Sequence, residues 1–311
     1  WCLCRELCIM TAWKKLIAAE GDEELAVGEI TFPIPGTYSW TIPDGVTSVS
    51  VVCIGAGAGG NGSDVASSFA AGGGGGALSY KNNLSVTPGA SITVTVGEGG
   101  RSYSKYNAKG TYGDGGDSSF GTDCVAGGGE QGWYSNNPGV GGTVGAGDGG
   151  GAGGDGGYEN NLGQGGGGGA GGYSGAGGEG GDTTYTGGVA GSAGSGGGGG
   201  GSGVGGVALF SLGAGGVGIW GEGTSGSGGS ASEYTNNNGG SLGQSGHPTE
   251  SNANLFNQGQ PGLFGAGGGG AAGGTTSRPF VSCNGASGCV RIVWPGDTRQ
   301  FPSTDVSYNL A

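Results

Sequence analysis

Residues 165–172 read GGGGGAGG, a stretch with almost no side chain to bury, so it cannot supply a hydrophobic core of its own. Similar runs occupy 72–76, 196–201 and 267–270. Glycine makes up 90 of the 311 residues, and it loses more backbone freedom on folding than any other residue type. Two physical outcomes are open to such a chain. One is disorder, the usual fate of low-complexity glycine-rich segments. The other is close backbone packing, in which bare chains approach and hydrogen-bond to one another, as glycine lets three strands share the collagen axis. Consecutive glycines would let an extended helix of three residues per turn be surrounded on several sides, which describes a polyglycine II bundle. Each backbone hydrogen bond contributes only about 1 kcal/mol net against about 1–2 kcal/mol of backbone entropy per residue. Dozens must therefore form together, and something must hold them in register.

The inserts between the runs favour order. Trp133, Tyr134, Tyr158, Tyr173, Tyr185, Phe210, Trp220 and Phe264 interleave with the glycines, whereas disordered linkers are poor in aromatics. Strand patterns at both ends supply the frame. GTYSWTI is followed by the turn PDG and then TSVSVVCIG, in which Val49, Val51 and Cys53 share one face and Val52 and Ile54 the other. ALSYKNNLSV and SITVTV flank Pro88-Gly89, with Ile92, Val94 and Val96 on one face. Both turn-linked pairs read as hairpins. GCVRIVW returns to strand before a Pro-punctuated tail.

The expected fold is mainly β with little α-helix: a β-strand frame around a glycine-rich polyglycine II helix bundle. An N-terminal segment (1–29) precedes the frame (30–129), the bundle with its variable loops (130–274), and a C-terminal strand and tail (275–311). Trp13, Leu16, Ile17 and Leu25 form a partial apolar stripe, read either as a docking helix or as a solvated terminus. Residues 1–9 do not match the rest and precede Met10, so they are expected to lie upstream of the true start. Arg5 and Glu6 interrupt their apolar run, which argues against a secretory leader.

Charge and chemistry narrow the function. Ten basic and 23 acidic residues give a formal net charge of -13, which disfavours nucleic acid and anionic membrane surfaces. No window approaches the roughly 18 apolar residues that a membrane span requires. Charged residues are only 11% of the chain, so acids and bases for catalysis are few. His247 has Ser245 and Glu250 near it in sequence, but nothing marks a strained nucleophile, and an exposed histidine is expected. Asp114 with Asp117 and Asp148 with Asp155 imitate glycosidase dyads, yet carboxylates flanked by glycine hold that geometry poorly. GAGAGG at 55–60 follows a strand, but no helix pattern follows it, so a phosphate-binding loop is rejected. The Gly-Asp stretches lack the nonapeptide spacing of calcium repeats. No catalytic residue, metal or cofactor is expected. Cys283 and Cys289 flank the flexible NGASG, which suits either a disulfide in an oxidising setting or two buried thiols.

TIPDGVTSVSVVCIGAGAGG, GGGGGALSYKNNLSVTPGASITVTVGEGG, GDGGDSSFG with VAGGG, and GCVRIVWPGDTRQFPSTDV occur in that order. This set resembles the glycine-rich tail-fibre proteins and tip adhesins of tailed bacteriophages, notably of marine and cyanobacterial phages. The resemblance covers roughly residues 30–129 and 265–306. For the T-even-like adhesins it implies polyglycine II packing that displays variable loops to a bacterial surface receptor. The strand motifs here are of the marine type, and no clear counterpart of the T-even fibre-attachment segment is present.

If a lattice displays loops, recognition should lie in the inserts. The candidate receptor-binding residues are Trp133, Tyr134, Tyr158, Tyr185, Trp220, Tyr234, His247 and Phe256. Aromatic faces beside Asn and Asp suit sugar rings or the exposed loops of outer-membrane proteins. The same aromatics also suit a purely structural role, shielding backbone hydrogen bonds from water. The expected partners are a bacterial surface receptor, either a glycan or an outer-membrane protein, and other tail-fibre proteins or copies of the chain. The expected location is the virion tail fibre. A purely structural virion or matrix protein is the alternative. An ice-binding face would need a regular array of small residues, and the inserts are irregular and bulky.

Overall fold

The computed structural model describes residues 27–61, 71–102, 113–132, 137–158, 165–184, 187–198, 213–229, 264–267 and 284–303. Among these the regular structure is β, and no α-helix occurs. Eleven strands form: β1 (Gly28–Phe32), β2 (Gly36–Thr41), β3 (Ser48–Ile54), β4 (Leu78–Ser85), β5 (Ser91–Val96), β6 (Ser118–Phe120), β7 (Cys124–Ala126), β8 (Gly149–Gly151), β9 (Thr183–Thr184), β10 (Gly187–Gly188) and β11 (Cys289–Trp294). The frame is two antiparallel sheets, one of five strands in the order β1-β11-β3-β4-β8 and one of four in the order β2-β5-β6-β7. A small β9-β10 ribbon stands apart.

The two-faced alternation of β3 explains its central position. Val49, Val51 and Cys53 point between the sheets, where they join Trp40, Val94, Phe120, Val290 and Ile292 in the main core. Val52 and Ile54 point the other way, into a second core with Tyr173, Val217, Ile219, Phe264 and Phe301. A strand buried on both faces needs partners on both edges. β11 pairs it on one side, with Val290 opposite Cys53, and β4 pairs it on the other, with Leu78 opposite Ile54.

This requirement overturns both hairpins. β2 pairs with β5, and β3 with β4, so each turn carries the chain from one sheet to the other. The glycines of the turns sit at positive φ, Gly45 at 76° and Gly89 at 77°, as the turn chemistry predicts. Turn residues fix that the chain reverses, whereas burial decides which strand it then pairs with. Trp40, Ile42 and Val46, buried around the first crossover, hold the arch against the core.

Frame and glycine segments alternate along the chain instead of following one another as separate blocks. β3 runs directly into buried residues 55–60, and buried residues 71–77 return into β4. The array therefore begins well before residue 130. Its hydrogen bonds show a repeat of three. Gly72 and Gly75 donate to Gly157 and Gly154, Gly74 and Ala77 to Glu130 and Gly127, and Gly76 to Gly265. One short segment thus bonds three neighbours, two of them through donors three residues apart. Residues 165–172 do the same: Gly166 and Gly169 donate to Gly181 and Gly178, Gly168 and Gly171 to Gly73 and Gly76, and Ala170 to Gly215.

Close approach is why these positions are glycine. A Cβ built on Gly168 would overlap the Gly154 carbonyl, and one on Gly75 would overlap the carbonyl of Gly169. With no room for side chains, hydrogen bonding replaces apolar contact as the cohesive term.

Candidate functional site

The described glycine segments leave the frame and return to it, and several of their outer ends lie side by side. Asn61 donates from its N–H to the Ala71 carbonyl, and Gln131 Nε2 reaches the Gly60 carbonyl at 3.2 Å. Ser102 N–H bonds Asn284 Oδ1 at 2.8 Å, and Gln131 N–H bonds Asp114 Oδ1 at 2.7 Å. Gly139 donates to Gly72, Gly72 to Gly157, Gly157 to Gly166 and Gly166 to Gly181, which ties the remaining stems into the same level. The stem pairs 61/71, 102/113, 132/137, 158/165 and 184/187 therefore share one end of the array. Val27 and Ser303, where the described chain enters and leaves, lie on the frame.

Of the sequence candidates, Trp133, Tyr134, Tyr185, Tyr234, His247 and Phe256 lie outside the described residues, as does Cys283. Tyr158 is described, is 47% exposed, and stands at one of the stems. Its N–H is held by Asp182 Oδ1 at 2.8 Å, and its carbonyl accepts from Thr183 N–H at 3.1 Å. The backbone that carries this exposed ring is thus held at both of its polar groups.

Trp220 is equally exposed, at 46%, but it sits on the frame at the other end. Its ring lies over the Arg291 guanidinium, 4.2 Å from centroid to Cζ. Arg291 projects from β11, is fully buried, and donates to Glu29 Oε2 at 2.7 Å and to the Ile219 carbonyl at 3.1 Å. Arg299 donates to the same Glu29 oxygen at 2.7 Å and to the Gly28 carbonyl at 2.6 Å. Burial disfavours ionised Glu29, but the hydrogen bonds and charges of Arg299 and Arg291 outweigh it and hold the carboxyl below its ordinary range. Burial likewise lowers the Arg291 pKa, against the pull of Glu29. The cluster joins β1, β11 and the segment around residue 220, so Trp220 stacks as part of a lock within the frame. Sequence reasoning missed Glu29, Arg291 and Arg299. The available signal was Arg291 itself, a charge between Val290 and Ile292 in an otherwise apolar strand.

The aspartates spaced like glycosidase dyads bond the backbone. Asp114 and Asp117, three residues apart, accept from Gln131 and Gly128 N–H at 2.7 and 2.9 Å. Asp155 accepts from Gly141 N–H at 2.7 Å, and Asp148 from Asn82 N–H at 2.8 Å while also pairing with Lys81. The Lys81 contact and the Asn82 N–H hold the Asp148 carboxyl below its usual range. Each carboxylate is thus engaged by main-chain donors. Among the described residues no group of three or more His, Cys, Asp or Glu is placed to hold a metal ion. No described helix is long and apolar enough to cross a membrane.

Cys53, Cys124 and Cys289 are free and buried. Cys53 Sγ donates to the Cys124 carbonyl at 3.6 Å, and Cys124 Sγ to the Ser79 carbonyl at 3.4 Å. Burial pushes the Cys53 thiol well up and the Cys289 thiol up to about 12, so neither offers a thiolate near neutral pH.

The family model of the glycine-rich domain matches residues 32–295, from the end of β1 through β11. The chain belongs to that glycine-rich domain family. No curated protein matches it.

Proposed function

We propose that this glycine-rich-domain protein is a tail-fibre or fibre-tip adhesin of a tailed phage, and that its glycine segments are polyglycine II helices presenting loops to a receptor on the bacterial surface. The observation that carries the reading is the gathering of five stem pairs at the end of the array remote from the frame. Segments 133–136 and 185–186, which carry Trp133, Tyr134 and Tyr185, connect two of those stem pairs, and Tyr158 stands at a third. The repeat of three in the hydrogen bonds supports the helical reading, because three residues per turn is the period of that extended helix. The resemblance of the motif set to phage fibre proteins supports the virion reading.

Binding of the fluorescently labelled protein to a panel of bacterial cells tests this reading. Saturable adsorption to particular strains is expected, with a loss of about tenfold or more when Trp133, Tyr134 and Tyr158 are replaced by Ala, since aromatic anchors commonly dominate such contacts. Trp220→Ala, at the frame end, is expected to leave adsorption near the parent level. Adsorption indifferent to the three loop-end aromatics would refute the display end. Failure to bind any plausible host, with assembly altered by the same changes, would favour a purely structural fibre protein.

A further inference from the structure

Segment 127–131 has three directions in which its N–H groups point, set by the repeat of three. Gly127 and Glu130 donate to the carbonyls of Thr143 and Val140, and Gly129 donates to the carbonyl of Ala56. The third direction belongs to Gly128 and Gln131, and there the acceptors are the carboxylates of Asp117 and Asp114. The spacing of the two aspartates matches the spacing of the two donors. The same substitution of carboxylate for carbonyl recurs where Asp155 takes the Gly141 N–H and Asp182 takes the Tyr158 N–H. All four aspartates are exposed, so these positions mark the rim of the array.

A rim of this kind has the same hazard as the open edge of a β-sheet, because its donors are a template for another chain. Within the array the equivalent donors are filled by glycine-segment carbonyls, so the natural occupant is another glycine segment. We propose that the sides of the array are latent docking edges for a glycine segment of a second copy of this chain, and that Asp114, Asp117, Asp155 and Asp182 keep them closed by occupying the donors. The device explains why the acid-glycine stretches have carboxylates at hydrogen-bonding intervals. It is independent of the adhesin reading, since a closed rim serves any protein built this way.

Two fourfold variants of the full chain separate plugging from charge. Replacing the four aspartates by Ala removes four charges and four acceptors, whereas replacing them by Asn removes the same charges and keeps an Oδ1 acceptor at each site. Sedimentation velocity over a wide concentration range is the readout, with far-UV circular dichroism to verify the fold. The Ala set is expected to associate beyond the parent's state at concentrations about tenfold or more below those at which the Asn set does, because each freed donor gains a partner only in the complex. A folded Ala set that keeps the parent's distribution overturns the proposal. So does equal association of the Ala and Asn sets, which would make net charge the protective agent. If the fourfold Ala variant loses its fold, Asp114→Ala/Asp117→Ala is compared with Asp114→Asn/Asp117→Asn in the same way. Opening that one edge is expected to give dimers of the folded protein in the Ala pair alone, and their absence overturns the proposal.

Discussion

The frame and the array solve the same problem with opposite materials. In the frame, Val51, Val94, Phe120 and Ile292 fill the space between two sheets, and cohesion comes from apolar surface removed from water. In the array, residues 72–77 and 165–172 are buried with scarcely a side chain among them, and cohesion comes from backbone donors that bond carbonyls of neighbouring segments. The frame is sensitive to lost volume, and the array to added volume. A residue deep in one region and a residue deep in the other are therefore intolerant for unrelated reasons.

Four changes test that contrast, in falling order of expected effect. Phe120→Ala, at a fully buried site, should lower stability by about 4 kcal/mol in denaturant unfolding, through lost transfer energy and the cavity left behind. Gly168→Ala adds a single methyl, yet it should cost about 3 kcal/mol, because the Cβ meets the Gly154 carbonyl and the backbones must separate. If Gly168→Ala unfolded no more easily than its parent, close packing of the array would be refuted.

Glu29→Gln should cost about 2 kcal/mol at neutral pH, since two guanidiniums then share an uncharged acceptor while Arg291 stays buried. The linkage has a definite sign. The Glu29 pKa is lower folded than its ordinary 4.5, so its contribution is present above that value and is lost as pH falls through the folded value. The gap between parent and variant should accordingly close in acid, and a gap that widened there would contradict the ion pairs. Gly89→Ala is the smallest, at about 1 kcal/mol. Its Cβ would meet nothing within 4 Å, and only the strain of φ near 77° remains. Comparing Gly89→Ala with Gly168→Ala isolates crowding from conformational strain, because both make the same chemical change.

How far the sequence reveals this molecule follows from the same contrast. The alternation of β3 was readable because side chains carry the pattern, and both of its faces are buried as the alternation implies. Its partners were not readable, because Pro-Asp-Gly and Pro88-Gly89 encode a reversal and say nothing of which sheet the next strand joins. In the array the difficulty is greater. A run of identical residues holds no register information, so the pairing of Gly72 with Gly157 is fixed by the frame and the lengths of the connections. GDGGD shows the limit well: its spacing of three was visible, but its meaning required knowing that the neighbouring donors recur at three. Tyr158 stands out in the sequence through its aromatic character among glycines. The lock around Glu29 was not legible because Glu29 lies more than 260 residues from both of its arginines.

The place of β11 in the five-stranded sheet bears on how the chain reaches its structure. β11 lies between β1 and β3, so the first strand of the frame joins the third only through a strand that follows every glycine segment in the chain. During synthesis the array segments would emerge before their frame can close. Contacts across such sequence distances are slow to form, because loop closure must precede the contacts that reward it. The five-stranded sheet should therefore be completed late, and a chain halted before Cys289 should lack a foothold for β1.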